Sequence, residues 1–287
     1  MRAFRTFTAL ALVFVLAGPT QAWWEEGHVT LCKIAEAHLA PAARTAITDL
    51  LGDMPISDPR VCLWADQLRT TSEYDKKYPH HPTWHYINLE VQLKPEEFKP
   101  DASGDHVIGA IEHFQKVLSD PCVSKGDRKE ALMFVVHFVG DLHQPLHCLH
   151  RNDDRGGNLQ PIKSVLGVAE DKLNLHKVWD GHLVKSDRGD LTVADYAKRL
   201  GDEITAVDKE SWQKGCPKDW AWEVHLVGVN SAYLFADGTP LPKPSEPAAE
   251  LTEENYFKVN RPVVREQLKK AGIRVAKVLN DCFEKAP

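Results

Sequence analysis

His137-Phe138-Val139-Gly140-Asp141-Leu142-His143-Gln144-Pro145-Leu146-His147 follows directly on the apolar run Ala131-Leu132-Met133-Phe134-Val135-Val136. Together they predict a helix buried on most sides. Asp127 is placed to cap it. Pro145 ends it, and His147 falls just past the break. His137 and Asp141 are four residues apart and share one helix face. An ionised Asp in an apolar helix is costly unless something cationic neutralises it. The layout is therefore that of a metal site, with two donors on a helix face and a third on the following turn.

The same spacing recurs in Asn174-Leu175-His176-Lys177-Val178-Trp179-Asp180, where His176 and Asp180 again share a face. Asp66 in Leu63-Trp64-Ala65-Asp66 and His85 in Trp84-His85-Tyr86-Ile87-Asn88 add two further donors. Asp and His are good zinc ligands, and catalytic zinc keeps one coordination position open. Each element alone has a bland alternative: a lone His is commonly a hydrogen-bonded core residue, and a His/Asp pair a surface pair. The sequence contains no GxSxG elbow, P-loop or GxGxxG fingerprint, which removes the usual signals of serine hydrolases and nucleotide-binding folds.

Nearly every other periodic segment reads as helix: 28–39, 41–51 with a stop at Gly52, a short helix in 58–69, 105–118, 173–184, 193–207, 220–234, and 253–283 with a possible kink near Pro262. Residues 70–83 and 150–160 read as polar loops, 84–91 as weakly extended, and 237–250 as a Pro-rich connection. With no repeat or boundary, the expectation is one all-α domain.

The first 22 residues differ from the rest. Arg2 and Arg5 precede an apolar run from Ala9 to Ala17, and Thr20-Gln21-Ala22 ends in small residues. This predicts a signal peptide over 1–22, cleaved after Ala22. The mature chain, 23–287, would be secreted or periplasmic, without a membrane anchor. Losing two Arg and no acids takes the 35 basic and 41 acidic residues to a net charge of about −8. That argues against broad electrostatic binding to nucleic acid or anionic membrane, but not against a nucleic-acid substrate held by metal ions. Six cysteines in an exported chain suggest up to three disulfides. There is no CxxC pair for a thiolate metal site and no N-glycosylation sequon.

The ordered segments WWEEGH, WAD, WHYIN, HFVGDLHQPLH, RGGN and NLHKVWD resemble the zinc-dependent single-strand-specific nucleases of the S1/P1 type. The resemblance covers the whole mature chain. It implies a mainly helical, disulfide-containing domain of the zinc-dependent phospholipase C / nuclease P1 type, acting as a monomer, with three zinc ions. One zinc would take Asp66, His85, His137 and Asp141. A second would take His28, Asp141 and the amino group and carbonyl of Trp23, so that Asp141 bridges the two. The third would take His147, His176 and Asp180.

The implied activity is an endonuclease cutting single-stranded RNA and DNA to 5′-nucleotides, with 3′-nucleotidase activity; the cluster would activate hydroxide and stabilise the 3′-oxygen leaving group. Asp66 and Asp141 would serve catalysis through the metals, and Arg69 would contact phosphate in the transition state. Tyr86 and Asn88 match positions that hold a base; fungal members carry Asp where this chain has Asn88, so base preference does not carry over. Gly156, Gly157 and Asn158 match the loop flanking the cluster, where glycine either admits substrate or makes a tight turn. His143 and His150 read as surface or supporting residues, and Trp220-Ala221-Trp222 as helix packing. The rival readings are a zinc-dependent phospholipase C and a non-catalytic zinc-binding protein.

Overall fold

The apolar run 131–136 lies in a helix whose last twelve residues are all buried. A computed structural model describes residues 23–69 and 74–284. The expected signal peptide, 1–22, and the first part of the expected loop, 70–73, lie outside the described residues. The helices in chain order are α1 (Glu25–Ala37), α2 (Pro41–Leu51), α3 (Pro59–Cys62), α4 (Trp64–Leu68), α5 (Val107–Ser119), α6 (Lys125–Leu142), α7 (Leu175–Lys177), α8 (Leu183–Arg188), α9 (Val193–Asp202), α10 (Ala206–Trp212), α11 (Pro217–Val229) and α12 (Lys258–Glu284).

Helix α6 is buried on every face from Ala131 to Leu142. It packs against α1, α2, α3, α4, α5, α11 and α12. Phe134 stacks on Phe114 of α5 at 4.2 Å and on Phe138 at 5.2 Å, while Tyr78 meets Phe134 and Trp84 meets Phe114 edge-on. Aromatic pairs in these geometries add to the gain from burial itself. A helix enclosed on all sides leaves its polar residues no water, so His137 and Asp141 must find partners within the protein.

Several expectations need correction. Ser124, not Asp127, caps α6. Its hydroxyl accepts from the Asp127 backbone N–H at 3.1 Å, while the Asp127 carboxylate pairs with Lys77. The single helix expected over 193–207 is two, because Thr205 and Asp208 form a capping box that starts α10. The helix expected over 173–184 contains a wide π turn, Val178–His182, between α7 and α8. Residues 84–91 form no strand; a single bridge joins Glu90 to His150. One small parallel sheet, β1 (Ile162–Val165) with β2 (Ala249–Leu251), departs from the all-α expectation, although the molecule is mainly helical.

All six cysteines are free in this structure, with Cys32, Cys62, Cys148 and Cys282 buried. Cys32 and Cys62 are hydrogen-bonded to each other, and burial pushes the Cys32 thiol well up. Cys148 donates to the Leu142 carbonyl and Cys282 to that of Gln115, while Cys122 and Cys216 are exposed. No helix among the described residues is long and apolar enough to cross a membrane.

Candidate metal centre

Segments far apart in sequence deliver His and Asp side chains to three buried groups: His28, His137 and Asp141; Asp66, His85 and His137; and His147, His176 and Asp180. All eight of these residues are at most 4 % exposed. Asp141 is central. Its Oδ2 lies 2.8 Å from His85 Nδ1 and 3.2 Å from His137 Nε2, and its Oδ1 lies 3.2 Å from His28 Nε2. Asp66 Oδ1 stands 3.6 Å from His85 and 3.7 Å from His137. In the other group His147 Nε2 and His176 Nε2 are 3.2 Å apart, and Asp180 Oδ2 is 3.4 Å from His176.

Hydrogen bonds orient the rings. Nδ1 of His137 donates to the Cys62 carbonyl at 2.7 Å, Nδ1 of His147 to that of His85 at 2.6 Å, and Nδ1 of His176 to that of Gly156 at 2.6 Å. With the proton held on Nδ1, Nε2 of His147 and of His176 carries a bare lone pair pointing into its group. The two lone pairs of His147 and His176 face one another at 3.2 Å, an arrangement that repels unless a cation lies between them. Both oxygens of Asp66, Asp141 Oδ1 and His85 Nε2 are buried without a hydrogen-bond partner. Buried polar atoms are normally paired, so this donor set fits metal ions.

The electrostatics agree. Burial pushes Asp66 up to about 7 and Asp180 well above the usual carboxylate range. Burial also lowers His85 and His147 to about 3 and His176 to about 4, keeping these rings neutral as ligands must be. At His137 the opposite holds. Burial there is outweighed by the charges of Asp141 and Asp66, which raise it to about 9, and the His137 charge in turn pulls Asp141 well down.

Trp23 is buried, and its indole N–H donates to the Gly140 carbonyl at 3.0 Å, one residue before Asp141. The next residue, Trp24, donates its backbone N–H to the Asp180 carbonyl at 2.9 Å. The pair Trp23–Trp24 therefore bridges the two ligand regions. Gly140 lies close under His28: a Cβ there would stand 3.1 Å from two atoms of its ring and from Leu31 Cδ2, so these neighbours would have to shift by a few tenths of an ångström. Arg69 follows α4, and its positive charge is felt at Asp66, His85, His147, His176 and Asp180 alike.

Tyr86 and Asn88 line a cavity of about 410 Å³ with Lys99, Asp101, Ser103 and His106. Gly156 and Gly157 have φ of +62° and +78°. A Cβ on Gly156 would sit 2.2 Å from the Leu146 carbonyl, so this glycine serves a tight turn against protein backbone. Asn158 donates to the Arg155 carbonyl at 2.8 Å.

His28, Asp66, His85, His137, Asp141, His147, His176 and Asp180 thus come from segments far apart in sequence into three buried groups. A family model described as S1/P1 Nuclease matches residues 23–284. The chain belongs to the S1/P1 nuclease family. As a member it is a nuclease, and hence a hydrolase. Among the similar proteins, "Endonuclease 1" of Arabidopsis thaliana is 29 % identical over 98 % of this chain and 95 % of its own length. "Nuclease S1" of Aspergillus oryzae is 28 % identical over 93 % of each chain, and "Nuclease P1" of Penicillium citrinum 30 % identical over 67 % of this chain and 64 % of its own.

Within this S1/P1 family chain some supporting residues escaped sequence reasoning. Gln144 donates to Asp180 Oδ1 at 2.5 Å and accepts from the Leu146 N–H at 2.6 Å, joining the turn after α6 to the third group. Its place inside the quoted motif was the available signal. His143, expected at the surface or in support, is fully buried and faces away from the ligand groups. It donates to the Val139 carbonyl, and its Nε2 accepts from Arg274 at 2.9 Å. His150 is buried beside Glu90. Trp220 is core and Trp222 stacks on Phe98 and His225, as the packing reading expected.

Proposed function

We propose that this nuclease is an exported zinc enzyme that hydrolyses phosphodiester bonds of single-stranded RNA and DNA to 5′-nucleotides and also removes 3′-phosphates from nucleotides. The observation carrying this is the set of three buried His/Asp groups, in which both Asp66 oxygens and Asp141 Oδ1 have no hydrogen-bond partner and His147 Nε2 faces His176 Nε2 at 3.2 Å. Asp66, His85, His137 and Asp141 hold one zinc. His28, Asp141 and the amino group and carbonyl of Trp23 hold its neighbour. His147, His176 and Asp180 hold the third. Bound zinc would acidify water and neutralise charge on the departing 3′-oxygen.

The chain's own residues supply the rest. The Arg69 guanidinium offers charge-assisted hydrogen bonds to the non-bridging phosphate oxygens, which are strongest in the transition state. Tyr86 offers a ring for base stacking, tolerant of sequence. Asn88 both donates and accepts toward a base edge, and Asn158, whose amide donates to the Arg155 carbonyl, belongs to the loop that carries Gly156 and Gly157. Unpaired strands enter such a site without the cost of unstacking a duplex.

Residues 1–22 are a signal peptide, and the family match beginning at residue 23 supports a mature N-terminus at Trp23. Cleavage frees the Trp23 amine, coupling metal loading to export. In an oxidising compartment Cys32 and Cys62 are the pair placed to join as a disulfide. The protein acts as a monomer.

One panel tests this reading. Protein starting at Trp23 is assayed on single-stranded DNA, RNA, 3′-AMP and phosphatidylcholine, with and without chelator, then with zinc restored. Chelator-sensitive release of 5′-nucleotides, recovered with zinc, is the expected result. Turnover of phosphatidylcholine alone would make the protein a phospholipase, and zinc binding without any turnover would make it a non-catalytic zinc protein.

A further inference from the structure

The loop after α6 holds a backbone that calls for an explanation. Asn152, Asp153 and Arg155 have φ of +52°, +58° and +55°, and Gly156 and Gly157 continue in the same left-handed region. Each non-glycine residue there costs on the order of 1 kcal/mol. Such a run persists only when its surroundings enforce it.

The enforcing group is the Asp154 carboxylate, which is 2 % exposed. It accepts from the backbone N–H of Arg151 at 3.1 Å and of Gly157 at 3.0 Å. The Tyr233 hydroxyl, four residues beyond the end of α11, reaches its two oxygens at 2.7 and 2.9 Å. Arg151 lies over the Tyr233 ring at 4.5 Å. It donates to the Leu241 and Pro242 carbonyls at 3.1 and 3.0 Å and to Gln160 Oε1 at 2.8 Å. What this clamp delivers is the Gly156 carbonyl, the acceptor for His176 Nδ1–H at 2.6 Å. The Gly157 carbonyl also accepts the His176 backbone N–H at 3.4 Å.

We infer that Asp154 and Tyr233 are positioning residues for the His147/His176/Asp180 group. By fixing the Gly156 carbonyl they fix the tautomer and direction of His176, and so set metal affinity at that group independently of the paired group. This rests on the proposed reading of the group as the third zinc site. The hydrogen bonds of Asp154 run to Arg151, Gly157 and Tyr233 rather than to any ligand residue, so its influence passes through the loop. Partners that orient a metal-bound His commonly govern affinity in this way.

The test counts zinc by native mass spectrometry during chelator titration of protein starting at Trp23. The set comprises the unsubstituted chain, Y233F, D154N and H176A. Y196F serves as control, because it removes a comparable buried hydroxyl–carboxylate bond, to Asp187 at 2.8 Å. Y233F and D154N are expected to release one zinc at chelator concentrations about tenfold lower, leaving the two-zinc species that H176A shows. Excess zinc should restore both the third ion and the rate. Y196F should lower Tm without changing zinc release.

Release in step with the unsubstituted chain, or loss of all zinc together, would overturn the inference. An unsubstituted chain that never holds a third zinc would instead sink the zinc assignment of that group, and it reads out without reference to any variant.

Discussion

At the scale of single residues, the centre is defined by which atoms are left bare. Asp141 faces three imidazoles at 2.8 to 3.2 Å. Replacing it with Ala, or replacing His137 with Ala, should remove paired zinc and activity together, read by metal content and rate on single-stranded DNA. Full activity with fewer zinc ions would contradict the assignment. Arg69 touches phosphate in this account, so R69A should retain all zinc while kcat falls by roughly 10²–10³, with R69K partly recovering it; unchanged kcat would exclude that role. G140A should displace His28, weakening zinc binding at the paired group while leaving the third group loaded. His137 and Asp141 were legible in the sequence, because ligand spacing on a helix is a local property, whereas His28 and Arg69 came only from the family resemblance. Gln144 and Asp154 were not legible. Their importance lies in the groups they meet, Asp180 for the first and Gly157 with Tyr233 for the second, which no local pattern encodes.

At the scale of elements, α6 must be both the core and the bearer of ligands. Phe134 is wholly buried between Phe114 and Phe138, and F134A should cost about 3–5 kcal/mol, measured by denaturant unfolding of the zinc-loaded protein. A second support joins α11 to α12. Arg274 bonds His143, the Trp212 carbonyl and Glu223, and Lys270 also pairs with Glu223. Burial would raise the Glu223 carboxyl, but the charge of Arg274 and the Lys270 hydrogen bond outweigh it and hold it at about 2. Its folded value is depressed, so its stabilisation is complete above about pH 4.5 and is lost as pH falls toward 2. E223Q should therefore flatten the stability–pH curve across that window, and an unaltered slope would count against the network. Helix existence was readable from apolar periodicity, and α2 appears with the expected bounds, closed by Gly52 at φ +68°. The division between α9 and α10 and the π turn at Asp180 were not readable, since capping and tertiary packing there override a continuous helical pattern. The pair β1–β2 joins segments more than 80 residues apart, beyond any local signal.

For the whole molecule, the account makes the N-terminus part of the site. Trp23 is tied to Gly140 and Trp24 to Asp180, so the first two residues of the family match span both ligand regions. Extra residues ahead of Trp23 should lower both bound zinc and specific activity; equal values for the extended and trimmed proteins would remove the amine from the ligand set. The central claim is that the convergent His/Asp groups form a zinc centre that cuts single strands. It is met most directly by restoring zinc stepwise to chelated protein beginning at Trp23, recording bound zinc per chain and the rate of 5′-nucleotide release from single-stranded DNA in the same samples. The account predicts negligible release without zinc and full release only as a third equivalent binds. Full release from zinc-free protein, or three bound zinc ions with no release, would contradict it.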